Sequence, residues 1–156
     1  MSTIHSVVAL VAFLLITGSA GFFGAMYPPG EWYKGLRKPS FTPRQSVYGP
    51  VWTTLYALIA VAAWLVWRDK GLLAAGLPLG LFLLQVIFNA AWSWIFFGLK
   101  KPGAAFVELL LLWMLIVATT ASFWHRVPLA GILMLPYLLW VTFAAGLNYS
   151  IWKLNS

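Results

Sequence analysis

Residues 72–99 read LLAAGLPLGLFLLQVIFNAAWSWIFFGL and contain no charged side chain. A helix needs about 20 mostly apolar residues to cross the hydrocarbon core of a bilayer. The chain holds four more stretches of this kind, at 4–26, 47–67, 102–124 and 128–152. The sequence therefore predicts an all-α integral membrane bundle, in which residues 1–156 form a single domain of five transmembrane helices.

The overall composition agrees with a membrane protein. Hydrophobic residues make up 62% of the chain, charged residues 8%, and the mean hydropathy is +0.88. So few polar groups cannot cover a water-facing surface, which excludes an ordinary soluble domain. Cysteine is absent, which excludes disulfides and thiol chemistry. No Lys or Arg precedes the first apolar run, so we interpret it as a retained helix and not as a cleaved signal peptide.

The net charge of +7 comes from basic residues at the ends of the predicted helices. Basic residues spread in this way indicate membrane lipid, and not nucleic acid, as the partner. One side of the bundle carries Lys34, Arg37, Lys38, Arg44, Lys100, Lys101 and Lys153. The other side carries Arg68, Lys70 and Arg126. The positive-inside rule then predicts an outside N-terminus and a cytosolic C-terminus, and we expect a bacterial cell membrane.

The segment between the first two predicted helices is the one long connection. It contains prolines, which cannot continue either flanking helix, and aromatic residues that could cover an apolar cavity. We expect a lid over one end of the bundle, formed by Trp32, Lys34, Arg37, Lys38, Pro39, Phe41, Pro43 and Arg44.

The third predicted helix carries Gln85, Asn89 and Trp92 at positions i, i+4 and i+7, which places two amides and an indole on one face. Two interpretations are open. The amides could form hydrogen bonds between helices, or they could face a pocket and orient the polar edge of a ligand.

Two further helices have faces that combine aromatic, polar and small residues. Trp52 and Tyr56 share a face of the second helix, and the fifth has such a face at Tyr137, Trp140, Ala144 and Asn148. Lipid-facing stripes seldom have this composition, so we expect both faces to point inward. The span-end tryptophans Trp67, Trp124 and Trp152 are instead typical of aromatic belts at the membrane surface.

Groups for catalysis are scarce. The two histidines lack the neighbours of a metal site, and neither a nucleophile motif nor a phosphate loop is present, so we expect no conventional enzymatic activity and no metal. Glu108 is the carboxylate inside a predicted span. It is either a functional group or a side chain that snorkels toward the interface near Lys101.

A loose sterol-recognition pattern closes the chain, at Leu147, Tyr149 and Lys153. The pattern is weak, because many terminal helices with an interfacial Tyr and Lys would match it.

Several segments resemble the tryptophan-rich sensory protein family, the TspO/MBR family, also known as the translocator protein or peripheral-type benzodiazepine receptor family. They are WYKGLRKPSFTP at 32–43, VWTTLY at 51–56, FNAAWS at 88–93, PYLLW at 136–140 and GLNY at 146–149. The resemblance covers nearly the whole chain in order. One departure is that Arg44, and not a second proline, follows Pro43, which implies a more basic and less rigid loop.

The resemblance implies a five-helix protein, commonly a homodimer, with a cavity beneath the first loop. Members bind protoporphyrin IX, haem and synthetic isoquinoline carboxamides, and mitochondrial members also bind cholesterol. Matched by position, the implied ligand-binding residues are Tyr33, Trp52, Gln85, Trp140 and Ala144, with Asn89 in a packing or binding role. Together with the inward faces described above, this gives the predicted site Tyr33, Trp52, Tyr56, Gln85, Asn89, Trp92, Tyr137, Trp140 and Ala144.

The predicted function is therefore a membrane protein that binds a tetrapyrrole, with no obligatory cofactor, and acts as a sensor, regulator or scavenger. A carrier of porphyrin, lipid or sterol is the alternative. Light-dependent porphyrin degradation is a minor one.

Overall fold

A computed structural model describes residues 2–156, except for the side chain of Lys70. The elements in chain order are α1 (Thr3–Ala25), α2 (Glu31–Lys34), α3 (Gln45–Ala74), α4 (Gly76–Ser93), a π-helical turn (Trp94–Gly98), α5 (Pro102–Arg126) and α6 (Pro128–Leu154). The described chain contains no strand. The prediction of an all-α protein is confirmed.

Five of these helices are long and apolar enough to cross a membrane, as the sequence predicts. The candidate spans are Thr3–Ala25, Gln45–Asp69, Gly76–Gly98, Pro102–Arg126 and Pro128–Leu154. The last of them contains Pro136 and the second contains Pro50, each inside its helix.

Local chemistry explains where the helices begin and end. Pro102 and Pro128 open α5 and α6, where the missing backbone N–H costs nothing. Gly71 has φ of 83°, a left-handed conformation that breaks the regular geometry of α3 beyond the membrane span. Arg126 donates a hydrogen bond to the carbonyl of Ala74, which satisfies one of the free carbonyls at the end of α3.

The buried side chains form two clusters. The larger one joins α3, α4, α5 and α6 and includes Ala63, Phe82, Phe123 and Met134, all with no exposed surface. The smaller one lies under the loop and contains Tyr33, Phe96, Ala105, Leu147 and Ile151. This second cluster attaches the loop helix α2 to the bundle.

The long loop lies at the end of the bundle where α1 ends, α3 begins and α6 ends. The Asn155 side chain, just past α6, holds it there. Its Oδ1 accepts a hydrogen bond from Arg37 N at 2.9 Å, and its Nδ2 donates to Arg37 O at 2.8 Å. The loop is thus fastened over the end of the bundle, above the space between the helices.

Candidate functional site

A cavity of about 420 Å³ lies beneath the loop. This volume is within the range of small-molecule sites, roughly 300–1,000 Å³. The cavity is lined by Gly21, Gly24 and Ala25 of α1; Tyr27, Pro28, Pro29 and Tyr33 of the loop; Gln45, Tyr48, Gly49, Trp52 and Tyr56 of α3; Asn89, Trp92, Ser93, Phe96 and Phe97 of α4 and the π-helical turn; Leu109 and Leu112 of α5; and Trp140, Val141, Ala144, Leu147, Asn148 and Ile151 of α6.

Nine aromatic side chains line the cavity. On α3, the rings of Trp52 and Tyr56 are tilted by 31° with centroids 5.4 Å apart. Trp92 stacks on Phe96 at 4.9 Å, with an interplanar angle of 26°. On α6, the Trp140 ring lies against Tyr48 at 6.0 Å. Such a surface fits a flat, apolar and preferably aromatic ligand.

A chain of hydrogen bonds runs behind one wall. Tyr56 Oη donates to Asn89 Oδ1 at 2.7 Å, and Asn89 Nδ2 donates to Tyr137 Oη at 2.9 Å. Tyr137 Oη in turn donates to Gln85 Oε1 at 2.7 Å. The chain links α3, α4 and α6 and fixes the orientation of the two groups that reach the cavity, Tyr56 and Asn89.

Asn148 forms a second polar junction. Its Oδ1 accepts a hydrogen bond from Trp92 Nε1 at 2.9 Å, and its Nδ2 donates to the carbonyl of Pro102 at 2.9 Å. The indole N–H of Trp92 is therefore satisfied by protein, and Asn148 ties α4, α5 and α6 together beside the cavity.

Tyr33 is the point where the loop enters the site. Its ring is 6% exposed and packs edge-on against Phe96 and Phe97, with centroids 6.1 and 5.4 Å away. Lys38 Nζ lies 4.4 Å from the centroid of the same ring, within cation–π range. Burial raises the pKa of the Tyr33 phenol, so it remains a neutral hydroxyl.

The predicted site residues divide into two groups. The cavity is lined by Tyr33, Trp52, Tyr56, Asn89, Trp92, Trp140 and Ala144. Gln85 and Tyr137 are fully buried behind the wall and act through Asn89. Both amides form hydrogen bonds between helices, as the first interpretation predicts, and Asn89 also lines the cavity.

The predicted lid residues form an outer layer and do not line the cavity. Trp32 packs on Phe96 at 5.8 Å, and Phe41 packs on Phe143 at 6.0 Å. The others in this layer are Lys34, Arg37, Lys38, Pro39, Pro43 and Arg44. Of these, Lys34 pairs with Glu31 at 3.3 Å in an exposed ion pair. The loop side of the protein is therefore basic above an apolar cavity.

Sequence reasoning missed the contributions of α1 and α5. Polar residues mark the buried faces of both helices, Thr17 on α1 and Glu108 on α5, but the snorkelling interpretation of Glu108 places it at the interface. Sequence reasoning also missed Tyr48, for which a signal existed. Tyr48, Trp52 and Tyr56 recur every four residues, which puts all three on one face of α3.

The position of the Glu108 side chain contradicts the snorkelling interpretation. Its side chain is 8% exposed, and neither carboxylate oxygen has a hydrogen-bond partner in the described chain. A side chain that snorkelled toward Lys101 would reach the interface, so this interpretation is wrong. The buried face of α5 that also carries Ala105, Leu109 and Leu112 holds Glu108 inside the bundle.

Two of the three residues of the sterol pattern share a surface. Tyr149 is 45% exposed and Lys153 Nζ lies 5.7 Å from the centroid of its ring, whereas Leu147 lines the cavity. The helical spacing explains this division, since residues four apart share a face and residues two apart point in different directions.

Comparison with known proteins agrees with this architecture. The chain matches the TspO/MBR family over residues 7–153. It is 41% identical to the human translocator protein over 153 residues, covering 95% of this chain and 90% of that protein. It is 36% identical to the tryptophan-rich sensory protein of Cereibacter sphaeroides over 145 residues, covering 93% and 90%. It is also 36% identical to protein CrtK of Rhodobacter capsulatus over 154 residues, covering 96% and 94%. With five apolar helices and matches over nearly its full length, this integral, multi-pass membrane protein belongs to the TspO/MBR family.

Proposed function

We propose that this protein binds a porphyrin, protoporphyrin IX or haem, in the cavity beneath the loop and acts as a membrane sensor, regulator or scavenger. Family membership supports a general role in sensing or transport. The observation that carries the finer proposal is the cavity itself, in which the indoles of Trp52, Trp92 and Trp140 face one space of about 420 Å³.

The chemistry of a porphyrin complements this site. Its macrocycle is flat and apolar and would stack on the indoles, while its propionates are anionic. The basic residues of the loop layer, among them Lys38 and Arg44, lie at the same end of the bundle as the cavity. We expect stacking to supply most of the affinity and these charges to orient the propionates.

The test is a titration of the purified protein with protoporphyrin IX, followed by quenching of tryptophan emission. Replacing both indoles, in Trp52→Phe with Trp140→Phe, should weaken binding by about tenfold, because a smaller ring stacks over less of the macrocycle. Trp124→Phe is the matched control, since Trp124 is exposed at the opposite end of the bundle. Equal affinity in the double variant and the control would show that the porphyrin does not bind in this cavity.

A second candidate function is transport of a porphyrin, lipid or sterol across the bilayer. The name of the human relative, translocator protein, favours it, and so does Glu108 inside the bundle, whose carboxylate has no hydrogen-bond partner in the described chain. Flux into proteoliposomes distinguishes the two functions. If a preparation that binds the ligand shows no more flux than empty vesicles, transport is excluded and sensing or scavenging remains as the function.

The charge pattern supports an orientation with the N-terminus outside and the C-terminus in the cytosol of a bacterial cell. Because the chain has no cysteine, Ser2→Cys and Ser156→Cys each introduce a single thiol. A membrane-impermeant thiol reagent applied to intact cells should label the first variant and spare the second.

A homodimer is also proposed, and the mass of the detergent-solubilised protein tests it.

A further inference from the structure

A second depression lies on the outer face of the bundle, between α1 and α3. Gly18 of α1 and Thr53 and Ala57 of α3 are among its lining residues, and all three are exposed. This depression, here called the α1–α3 groove, opens on the side of the protein that faces lipid.

The α1–α3 groove and the cavity share a wall. Gly21, Gly49, Trp52 and Tyr56 line both spaces. At Gly21 the backbone of α1 packs directly against the Tyr56 ring, because a Cβ atom at this position would lie 2.9 Å from Tyr56 Cε2. Between lipid and cavity there is therefore little more than the backbone of two glycines and the rings of Trp52 and Tyr56.

The two rings are held differently. Tyr56 is fixed by its hydroxyl on Asn89 at 2.7 Å, whereas the indole of Trp52 contacts the rings of Tyr56 and Tyr137. The Trp52 indole forms no side-chain hydrogen bond in the described chain, so its rotation breaks ring contacts and no hydrogen bond. Trp52 is the part of the wall that can move most readily.

The attachments of α1 to α3 leave only the loop-side part of the groove free. The side-chain hydrogen bonds that join them in the described chain run from Thr17 Oγ1 to Tyr56 O at 3.0 Å and from Trp64 Nε1 to Ser6 O at 2.9 Å. The first lies inside the groove, between two of its lining residues, and the second lies farther from the loop, so neither joins the helices at Gly21, Gly49 or Trp52. The loop end, in contrast, is fastened by the two bonds between Asn155 and Arg37.

From these observations we infer that the α1–α3 groove is a lateral portal, through which a flat apolar ligand passes between the bilayer and the cavity when Trp52 swings aside. The inference rests on the proposed function, since the ligand is the one the cavity binds. Entry from lipid keeps the apolar faces of the ligand out of water along the whole route.

The experiment fills the groove without touching the cavity. Gly18 lines only the groove, and a Cβ atom there meets nothing within 4 Å, so Gly18→Leu should fold normally. Gly80→Leu is the matched control, because Gly80 is likewise exposed and uncrowded but lies on α4. Both variants and the wild type are reconstituted in phosphatidylcholine vesicles and mixed with protoporphyrin IX, and the rates of tryptophan quenching and of its reversal by excess empty vesicles are measured.

A blocked passage slows entry and exit equally and leaves the equilibrium unchanged. We expect both rate constants to fall by about tenfold in Gly18→Leu, with Kd within about twofold of the control. Equal rates in Gly18→Leu and Gly80→Leu would overturn the portal. So would a large change in Kd with one rate constant intact, which would make the groove part of the binding site.

A second variant keeps the test valid if Gly18→Leu does not fold. Gly18→Cys adds the only thiol in the chain, so one preparation can be measured before and after alkylation with N-ethylmaleimide. Slowing upon alkylation supports the portal, and unchanged rates reject it. A wild-type protein that fails to quench with protoporphyrin IX at any concentration rejects the proposed function, an outcome distinct from normal affinity with unaltered rates.

Discussion

The two ends of this helical bundle are built differently. At the end away from the loop, here called the far end, the side chains are closely packed, and Ala63, Phe82, Phe123 and Met134 have no exposed surface. At the loop end, large aromatic rings surround a cavity of about 420 Å³. The same helices therefore provide a packed core at one end and a cavity, here called the chamber, at the other.

This difference shows why a cavity can persist. At the loop end the rings meet edge-on or tilted, as Trp140 does on Tyr48 and Trp52 does on Tyr56, and they enclose a space that they do not fill. The hydrogen bonds from Tyr56 to Asn89 and from Asn89 to Tyr137 hold the helices at the required spacing. The far end, with its close packing, keeps the bundle intact while the chamber is empty.

The largest expected effect on stability is at the far end. Phe123→Ala removes a fully buried ring and leaves a void, so the free energy of unfolding in detergent should fall by about 3 to 5 kcal/mol. Affinity of the remaining folded protein for protoporphyrin IX should be unchanged. Phe22→Ala, on the exposed face of α1, is the control and should cost little. A loss of affinity in Phe123→Ala would mean that the two ends are not independent.

At the loop end the same kind of change should act on binding. Ala144→Phe introduces a ring into the cavity wall on α6, and we expect the affinity for protoporphyrin IX to fall by about a hundredfold because the ring occupies the ligand's space. The unfolding temperature should hardly move, since empty space accepts the ring. Ala104→Phe, which faces outward on α5, should bind normally. Normal binding by Ala144→Phe would place the ligand elsewhere.

The junction between the two ends should give a smaller, mixed effect. Tyr137→Phe deletes the hydroxyl that joins Asn89 to Gln85, leaving two buried amides short of a partner. Hydrogen bonds between membrane helices contribute about 0.6 to 1.7 kcal/mol, so we expect a loss of about 1 kcal/mol in the free energy of unfolding and a weakening of porphyrin binding by less than tenfold.

Tyr149→Phe is the matched control for Tyr137→Phe, because the Tyr149 side chain is exposed. Stability and affinity that both equal those of this control would show that the buried hydrogen-bond chain does not support the chamber.

The sequence predicts the helices and their inward faces, but it does not predict which inward residues reach the cavity. The apolar runs and their charged ends predict the spans, and mixed aromatic and polar faces identify the inward sides of α3, α4 and α6. Gln85 and Tyr137 share those faces with residues of the cavity, yet they lie behind its wall, because a helical period gives direction and not distance along the axis. The tryptophans show the same limit, since the Trp64 indole bonds to Ser6 and the Trp113 indole bonds to Thr142 across helices whose pairing no pattern specifies.

The smallest expected effect comes from backbone strain at the loop end. Lys100, in the short turn between the π-helical turn and α5, has φ of 58°, a conformation that costs a residue with a side chain about 1 to 2 kcal/mol. Lys100→Gly should relieve this cost and lose part of the gain to the greater freedom of glycine when unfolded, so the free energy of unfolding should rise by about 0.5 to 1 kcal/mol. Leu99→Gly is the control, because Leu99 has a right-handed φ of −83° and should be destabilised by the same change. Affinity for protoporphyrin IX should be unchanged in both variants, since neither residue lines the cavity. Tighter binding in Lys100→Gly would show that strain in this turn holds the chamber away from its preferred shape.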